Sequence, residues 1–401
     1  MKAQLSNIKA WLLCSVPFIM CIYPNLISWP MIGYALCWFA EGDQKRKWLA
    51  VIQNKMVWLF IGLFLIYVLR YLFSGSYAEG WQVIKVKFSL FMFPVLLVSE
   101  REKTLKELKL LIYSFIAGCL VNGLICLSYA IWNLVVNNVF VFQYIQFSVL
   151  LHPSYYSMYI DMVMLLTFYL FTNSGIVLNK TEKIFLLSSV FFLLFILVLL
   201  QSKMGMFISA VLSIVLLVKY AMIRGYRTTI LLLLTGSLIY FTTFHFLIGA
   251  RSRVAGAAEV ITSNKISASS TESTQVRYYV WTAALEVIKR YPVFGVGIGN
   301  ESPVLVNEYL KDGYTGAAKE NLNAHDQYIQ TTVSTGIIGL LLLVAGLLFP
   351  FIRAVRECRF VYGTFLVIIA VNFLVEAMLE IQSGTIFFGL FNSLLMFNFA
   401  I

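Results

Sequence analysis

The chain has 401 residues, 60% of them hydrophobic and only 12% charged, with a formal net charge of +11. That composition excludes a soluble globular domain. A nucleic-acid partner is excluded by where the cations stand, mostly in short loops between apolar runs, a pattern that sets membrane orientation.

Apolar runs long enough to cross a bilayer recur along the whole sequence, which predicts an all-α polytopic membrane protein. About twelve spans are expected, near residues 10–23, 25–40, 56–73, 84–98, 110–136, 153–173, 184–200, 204–221, 229–248, 327–351, 360–377 and 383–400. The first two are short and flank Pro24-Asn25, so a re-entrant pair is an alternative there. No small-residue cleavage site follows the first run, which reads as a retained helix and not a removed signal peptide. The chain thus divides into a membrane part, 1–248, one long polar segment with short helices, 249–326, and a second membrane part, 327–401. Cys14, Cys21, Cys37, Cys119 and Cys126 lie inside apolar runs and Cys358 at the edge of one. No C-x-x-C pair occurs among them, so packing is indicated, and neither a disulfide framework nor a metal site.

Orientation follows from the Lys and Arg positions. With the N-terminus inside, the inner segments hold 18 of the 30 cations, from Lys2 and Lys9 to Arg356 and Arg359. The short outer loops hold four, Arg70, Lys85, Lys87 and Lys203, and the remaining eight lie in the long segment. The positive-inside rule then places both termini in the cytoplasm and the long segment outside. The four outer cations are solvated loop charges or, as a cluster, what an anionic headgroup would need.

Residues 249–326 carry eight cations and eight anions, so an anion site there must come from local placement. The Ser/Thr-rich stretch Ser263 to Thr274 reads as loop. From Gln275 to Arg290 an amphipathic helix is predicted, with Val276, Tyr279, Val280, Ala283, Ala284, Val287 and Ile288 on one face. Thr274 is its expected N-cap, and Lys289-Arg290 suit its negative end before Pro292. Arg277 breaks that pattern, because a cation in the first turn opposes the helix dipole at a cost of roughly 0.3–1 kcal/mol. A helix N-terminus with an arginine fork binds anions well, since both donate to the same oxygens. A local pairing with Glu272 is the other account.

The glycines of Val293-Phe-Gly-Val-Gly-Ile-Gly-Asn300 alternate without a surrounding strand–helix unit, so tight turns are expected and not a dinucleotide fingerprint. His325 is expected to open the tenth span, with Asn323 as N-cap. A helix N-terminus favours a neutral imidazole, which a general base needs, and a helix-end anchor is the plainer reading. Asp161, Glu376 and Glu380 are ionisable groups at or near membrane depth, where such residues default to functional hypotheses. Glu376 and Glu380, four apart, are expected on one helix face.

The run Arg277-Tyr-Tyr-Val-Trp281, Tyr291-Pro292, Gly295-Val-Gly297-Ile-Gly299-Asn300, then Asn323-Ala-His325-Asp-Gln-Tyr328 and Gly336-Ile-Ile-Gly339-Leu340, resembles the O-antigen ligase and O-antigen polymerase superfamily. The resemblance is strongest over roughly 190–390. It implies transfer of a glycan from an undecaprenyl-diphosphate carrier to an acceptor hydroxyl at the periplasmic face of a bacterial inner membrane. Ligases use lipid A-core as acceptor; polymerases use another carrier-linked repeat. By resemblance His325 is the base and Arg277 binds the diphosphate leaving group, with inversion, no cofactor and no metal. A second family arginine corresponds to Lys203 in Gln201-Ser-Lys-Met-Gly205, which keeps the charge and loses the bidentate fork. Arg70, Lys85, Lys87, Lys203 and Arg277 are then expected to converge on one diphosphate, and Glu376 and Glu380 are candidates for holding the acceptor. The sequence reading is thus an O-antigen ligase, with the polymerase as alternative. A lipid-linked oligosaccharide transporter is disfavoured, because no internal repeat relates the two halves.

Overall fold

In the computed structural model the described residues are 2–100, 104–224 and 273–399. Their regular structure is helical throughout. The predicted span 229–248 and the polar stretch before Ser273 lie outside the described residues.

The helices are α1 Lys2–Ile22, α2 Ser28–Ala40, α3 Gln44–Gln53, α4 Lys55–Leu72, α5 Tyr77–Val98, α6 Leu105–Asn137, α7 Tyr144–Phe147, α8 Pro153–Thr172, α9 Lys180–Leu200 and α10 Lys203–Arg224. After the undescribed stretch come α11 Ser273–Arg290, α12 Glu301–Lys311, α13 Thr315–Lys319, α14 Gln327–Arg356, α15 Phe360–Phe373 and α16 Gln382–Ser393. Two of the long helices begin at reciprocal caps, Thr104 with Glu107 on α6 and Asn179 with Glu182 on α9.

Among the described residues, seven helices are long and apolar enough to cross a membrane: α1, α4, α5, α6, α9, α10 and α14. About twelve were expected; of the other five, 229–248 lies outside the described residues, α8 is long enough at 20 residues but carries Asp161 and several Tyr and Ser residues, and three are short. α2 has 13 residues, α15 has 14 and α16 has 12, each short of the roughly 20 that a bilayer core requires. Apolar composition predicted these runs as spans, yet Asn372 and Glu376 fall where α15 gives way to a turn. The boundary at Pro24-Asn25 was legible: a 3-10 turn, Pro24–Ile27, separates α1 from α2.

The described residues form two compact units, 2–42, 104–224 and 399 in one and 43–100 and 273–398 in the other. In the first, α1 lies along α6. Gly118 allows this, since a Cβ there would stand 2.8 Å from the Phe18 carbonyl oxygen. Asn122 Nδ2 donates to the Cys21 carbonyl at 2.6 Å. Helix α8 is buried around most of its circumference, and Tyr156 donates from it to the Cys119 carbonyl at 2.7 Å. Asp161 on α8 accepts from Ser209 on α10, which supplies a partner the sequence did not name.

In the second unit α4 and α5 pack with α14 and α16. Outside these, α11, α12 and α13 enclose a small core of Val276, Val280, Ala283, Ala284, Val287, Leu305 and Tyr309. This is the face that helical spacing predicted. Helix α11 begins at Ser273, so Thr274 lies within it and is not the cap.

Helix α14 is broken at Gly336, where φ is 69° and ψ is −166°, a region essentially restricted to glycine. The break frees backbone groups that a transmembrane helix cannot leave unmet. The glycine turn meets them: Val296 N donates to Val333 O at 2.8 Å, Gly297 N to Ser334 O at 3.1 Å, and Ile337 N to Pro292 O at 2.9 Å. A Cβ on Gly336 would come within 2.1 Å of the Val293 oxygen. Gly336→Ala is therefore expected to lower the thermal midpoint of the detergent-solubilised protein well beyond Gly313→Ala. Gly313 also has a positive φ but nothing within 4 Å, so equal midpoints for the two variants would contradict this packing.

Candidate functional site

The loop ahead of α14 sets His325. Asp326, not Asn323, is the N-cap: its carboxylate accepts from Ile329 N at 2.8 Å. His325 therefore stands one residue outside the helix, in the left-handed region with φ 45°. That corrects the expectation that it opens the span. Asn323 Oδ1 instead accepts from His325 N at 2.9 Å, and the neighbouring Ala324 is held on both sides. Its N–H donates to Gln330 Oε1 at 3.0 Å, and its carbonyl accepts from Trp281 Nε1 of α11 at 2.9 Å. The backbone that carries the His325 ring is thus held by the contacts around it.

Facing His325 is the stretch that follows α15. Helix α15 ends at Phe373, and a 3-10 turn, Met378–Glu380, leads into α16. Glu376 and Glu380 consequently do not share a helix face. Glu376 points to the imidazole, its Oε1 3.5 Å from His325 Nδ1, with side chains 11% and 28% exposed respectively. Arg277 reaches the adjacent residue, its Nη2 donating to the Val375 carbonyl at 2.9 Å, while its Nε has no partner. The two residues singled out from sequence thus address consecutive positions, 375 and 376.

Glu380 turns the other way, to Lys87. The ammonium, wholly buried, donates to Glu380 Oε1 at 2.6 Å and to the Leu379 carbonyl at 2.7 Å, and stands 4.7 Å from the centre of the Tyr67 ring. Gln327 joins the same cluster, its Nε2 donating to Glu380 at 3.2 Å and to Thr331 Oγ1 at 3.0 Å, its Oε1 accepting from Leu379 N at 2.6 Å. The expected convergence of outer cations on one anion fails within α5 itself. Lys85 is exposed and Lys87 is buried, because two residues along a helix turn through about 200°. Arg70 supports the glycine turn, donating to Gly295 O at 3.3 Å and lying over Phe294. Lys203 heads α10 in the first unit, after Gln201 has ended α9 in the left-handed region.

One buried acid escaped the sequence reading. Glu301 opens α12 and its Oε2 accepts from Gly299 N at 2.6 Å, closing the glycine turn. A signal existed: Glu301 precedes the buried Leu305 and Tyr309 by four and eight residues, on the same helical face. Burial, then the nearby Glu380 carboxylate, pushes its pKa up to about 7. A carboxyl with a folded pKa above its unfolded value near 4.3 keeps a proton that the unfolded chain has lost. Stability must then decline as pH rises from about 4.5 to about 7, and level off above. Glu301→Gln is expected to flatten that decline and to melt higher than the wild type at pH 8 in detergent. Parallel melting curves for the two proteins would contradict the assignment.

Residues 188–344 match the family model described as O-antigen ligase, which supports the resemblance to the O-antigen ligase and polymerase superfamily. The match takes in Lys203, Arg277, the glycine turn and His325, while Arg70, Lys85, Lys87, Glu376 and Glu380 fall outside it. No curated protein matches the chain.

Proposed function

We propose that this chain belongs to the O-antigen ligase and polymerase superfamily and is a membrane glycosyltransferase that moves a glycan from undecaprenyl diphosphate to a hydroxyl of lipid A-core. The observation that carries the reading is the meeting of His325 and Arg277 at Val375-Glu376. An imidazole backed by a carboxylate and an arginine with unengaged donors are what an acyl-free, direct displacement at an anomeric carbon needs. The acceptor hydroxyl gives its proton to His325 as its oxygen bonds to the anomeric carbon. The bond from that carbon to the phosphate oxygen breaks, and its electron pair leaves with the carrier diphosphate, inverting the centre.

Glu376 has a defined part in that step. Its carboxylate faces Nδ1, so it favours the tautomer that carries the proton there and leaves Nε2 free to accept. It also stabilises the imidazolium that forms. Arg277 has committed one nitrogen to Val375 O; its remaining donors would take the developing negative charge of the leaving group. Reaction at the periplasmic face of a bacterial inner membrane, with both termini cytoplasmic, fits the distribution of cations, 18 in the inner segments and four in the short outer loops. The polymerase reading uses the same donor chemistry with a carrier-linked acceptor.

The test is transfer by purified protein in detergent, with undecaprenyl-diphosphate glycan as donor and lipid A-core present or absent. Product that needs lipid A-core supports the ligase; carrier-linked chains that lengthen without it mean a polymerase. Donor flipped across a vesicle membrane with no new glycosidic bond would replace the enzyme reading with transport. In the same assay His325→Ala should lower turnover by about 10²–10⁴-fold, the usual range for a general base, with donor binding retained. Arg277→Lys should impair transfer more than Lys203→Arg does. A fully active His325→Ala protein would remove the base from the mechanism.

A further inference from the structure

Lys87 carries a charge into a site of zero exposure, which costs several kcal/mol unless the ion is fully met. It is met twice at one place, by the Leu379 carbonyl and the Glu380 carboxylate. Those residues end a short run whose other end is Glu376. The run is internally bonded: Met378 N donates to Glu376 O at 2.9 Å and Glu380 N to Ala377 O at 3.1 Å. Displacing residue 379 therefore displaces residue 376. Gln327 ties the opposite side, because it lies two residues beyond His325 and holds both Leu379 N and Glu380.

We propose that Lys87, through Glu380 and Leu379, is a positioning residue that sets Glu376 against His325, and not a ligand of the donor diphosphate. The inference rests on the glycosyltransferase reading, in which the His325–Glu376 pair accepts the acceptor proton. Two of the three N–H donors of Lys87 are engaged within the protein, and the ammonium, against the Tyr67 ring, has no exposed surface to offer an anionic ligand. Tyr67 in turn shares a hydrogen bond with Thr331 at 3.1 Å, and Thr331 accepts from Gln327. The helix that follows His325 and the turn that carries Glu376 are thus bound to one another through a single buried network.

The experiment removes the charge pair together, since Lys87→Met alone leaves the mostly buried Glu380 carboxylate without its cation. The double variant Lys87→Met/Glu380→Gln should fold, bind undecaprenyl-diphosphate glycan with KM within about twofold of wild type, and lose kcat on the order of 10-fold or more through misplacement of Glu376. Gln327→Leu, which removes no charge, should show the same split and serves if the double variant does not fold. A raised donor KM with unchanged kcat would make Lys87 a donor ligand and overturn the proposal, as would wild-type values for both constants. Should the wild-type protein transfer no glycan at all, the functional reading fails separately. A cryo-EM structure of the variant in a lipid nanodisc then decides the positioning by itself: a separation of His325 and Glu376 beyond that of the wild type is expected, and an unmoved pair overturns it.

Discussion

Where a helix is interrupted inside a packed unit, something else must satisfy the freed backbone groups, and the second unit is organised around two such interruptions. One is the break at Gly336, filled by the glycine turn that donates through Val296 and Gly297. The other is the run from Val375 to Glu380, between α15 and α16. There Arg277 takes the Val375 carbonyl, Gln327 the Leu379 N–H, and Lys87 and Thr385 the Leu379 carbonyl. The side chains that resolve this backbone problem are the ones assembled beside His325 and Glu376. A segment held from several sides keeps a carboxylate at a fixed place, and a fixed carboxylate can orient an imidazole.

Local pattern made part of this legible. Helical spacing identified the buried face of α11, whereas Arg277, expected in the first turn, is the fifth residue of that helix and reaches the Val375 carbonyl. Pro24 marked the boundary between α1 and α2. What failed were inferences that required knowing which partner lies across the fold. Nothing in sequence distinguishes Lys85 from Lys87, whose difference is decided by Glu380, 293 positions away. Glu376 and Glu380 at a spacing of four suggested one helical face, but α15 stops at Phe373 and the two acids diverge. His325 was placed at a helix start by its neighbours, yet the nearer acid, Asp326, is the better cap and leaves the histidine outside.

Charge shows the same division between bulk and placement. The long polar segment holds equal numbers of cations and anions, so composition predicts no anion site there. Under the proposed function Arg277 would supply a local one, with Nη2 on the Val375 carbonyl and Nε unengaged. Most of the surrounding charge is used internally: Arg290 with Glu308 and Lys87 with Glu380 are ion pairs, and Arg70 braces the turn. The family match covers Arg277 and His325 but ends before Glu376. The carboxylate partner of the histidine is therefore a contribution of the fold, read from coordinates and not from the matched segment.

The central claim is that His325 and Glu376 work as one acid–base unit. It is tested most directly by the turnover of Glu376→Gln with undecaprenyl-diphosphate glycan and lipid A-core, measured beside donor affinity on the same preparation. The amide keeps the size of the side chain and removes the charge that faces Nδ1. Turnover about 10-fold or more below wild type with unchanged donor affinity is predicted, because the imidazolium loses its counter-charge. Turnover equal to wild type would show that the histidine acts without the carboxylate, and would contradict the account.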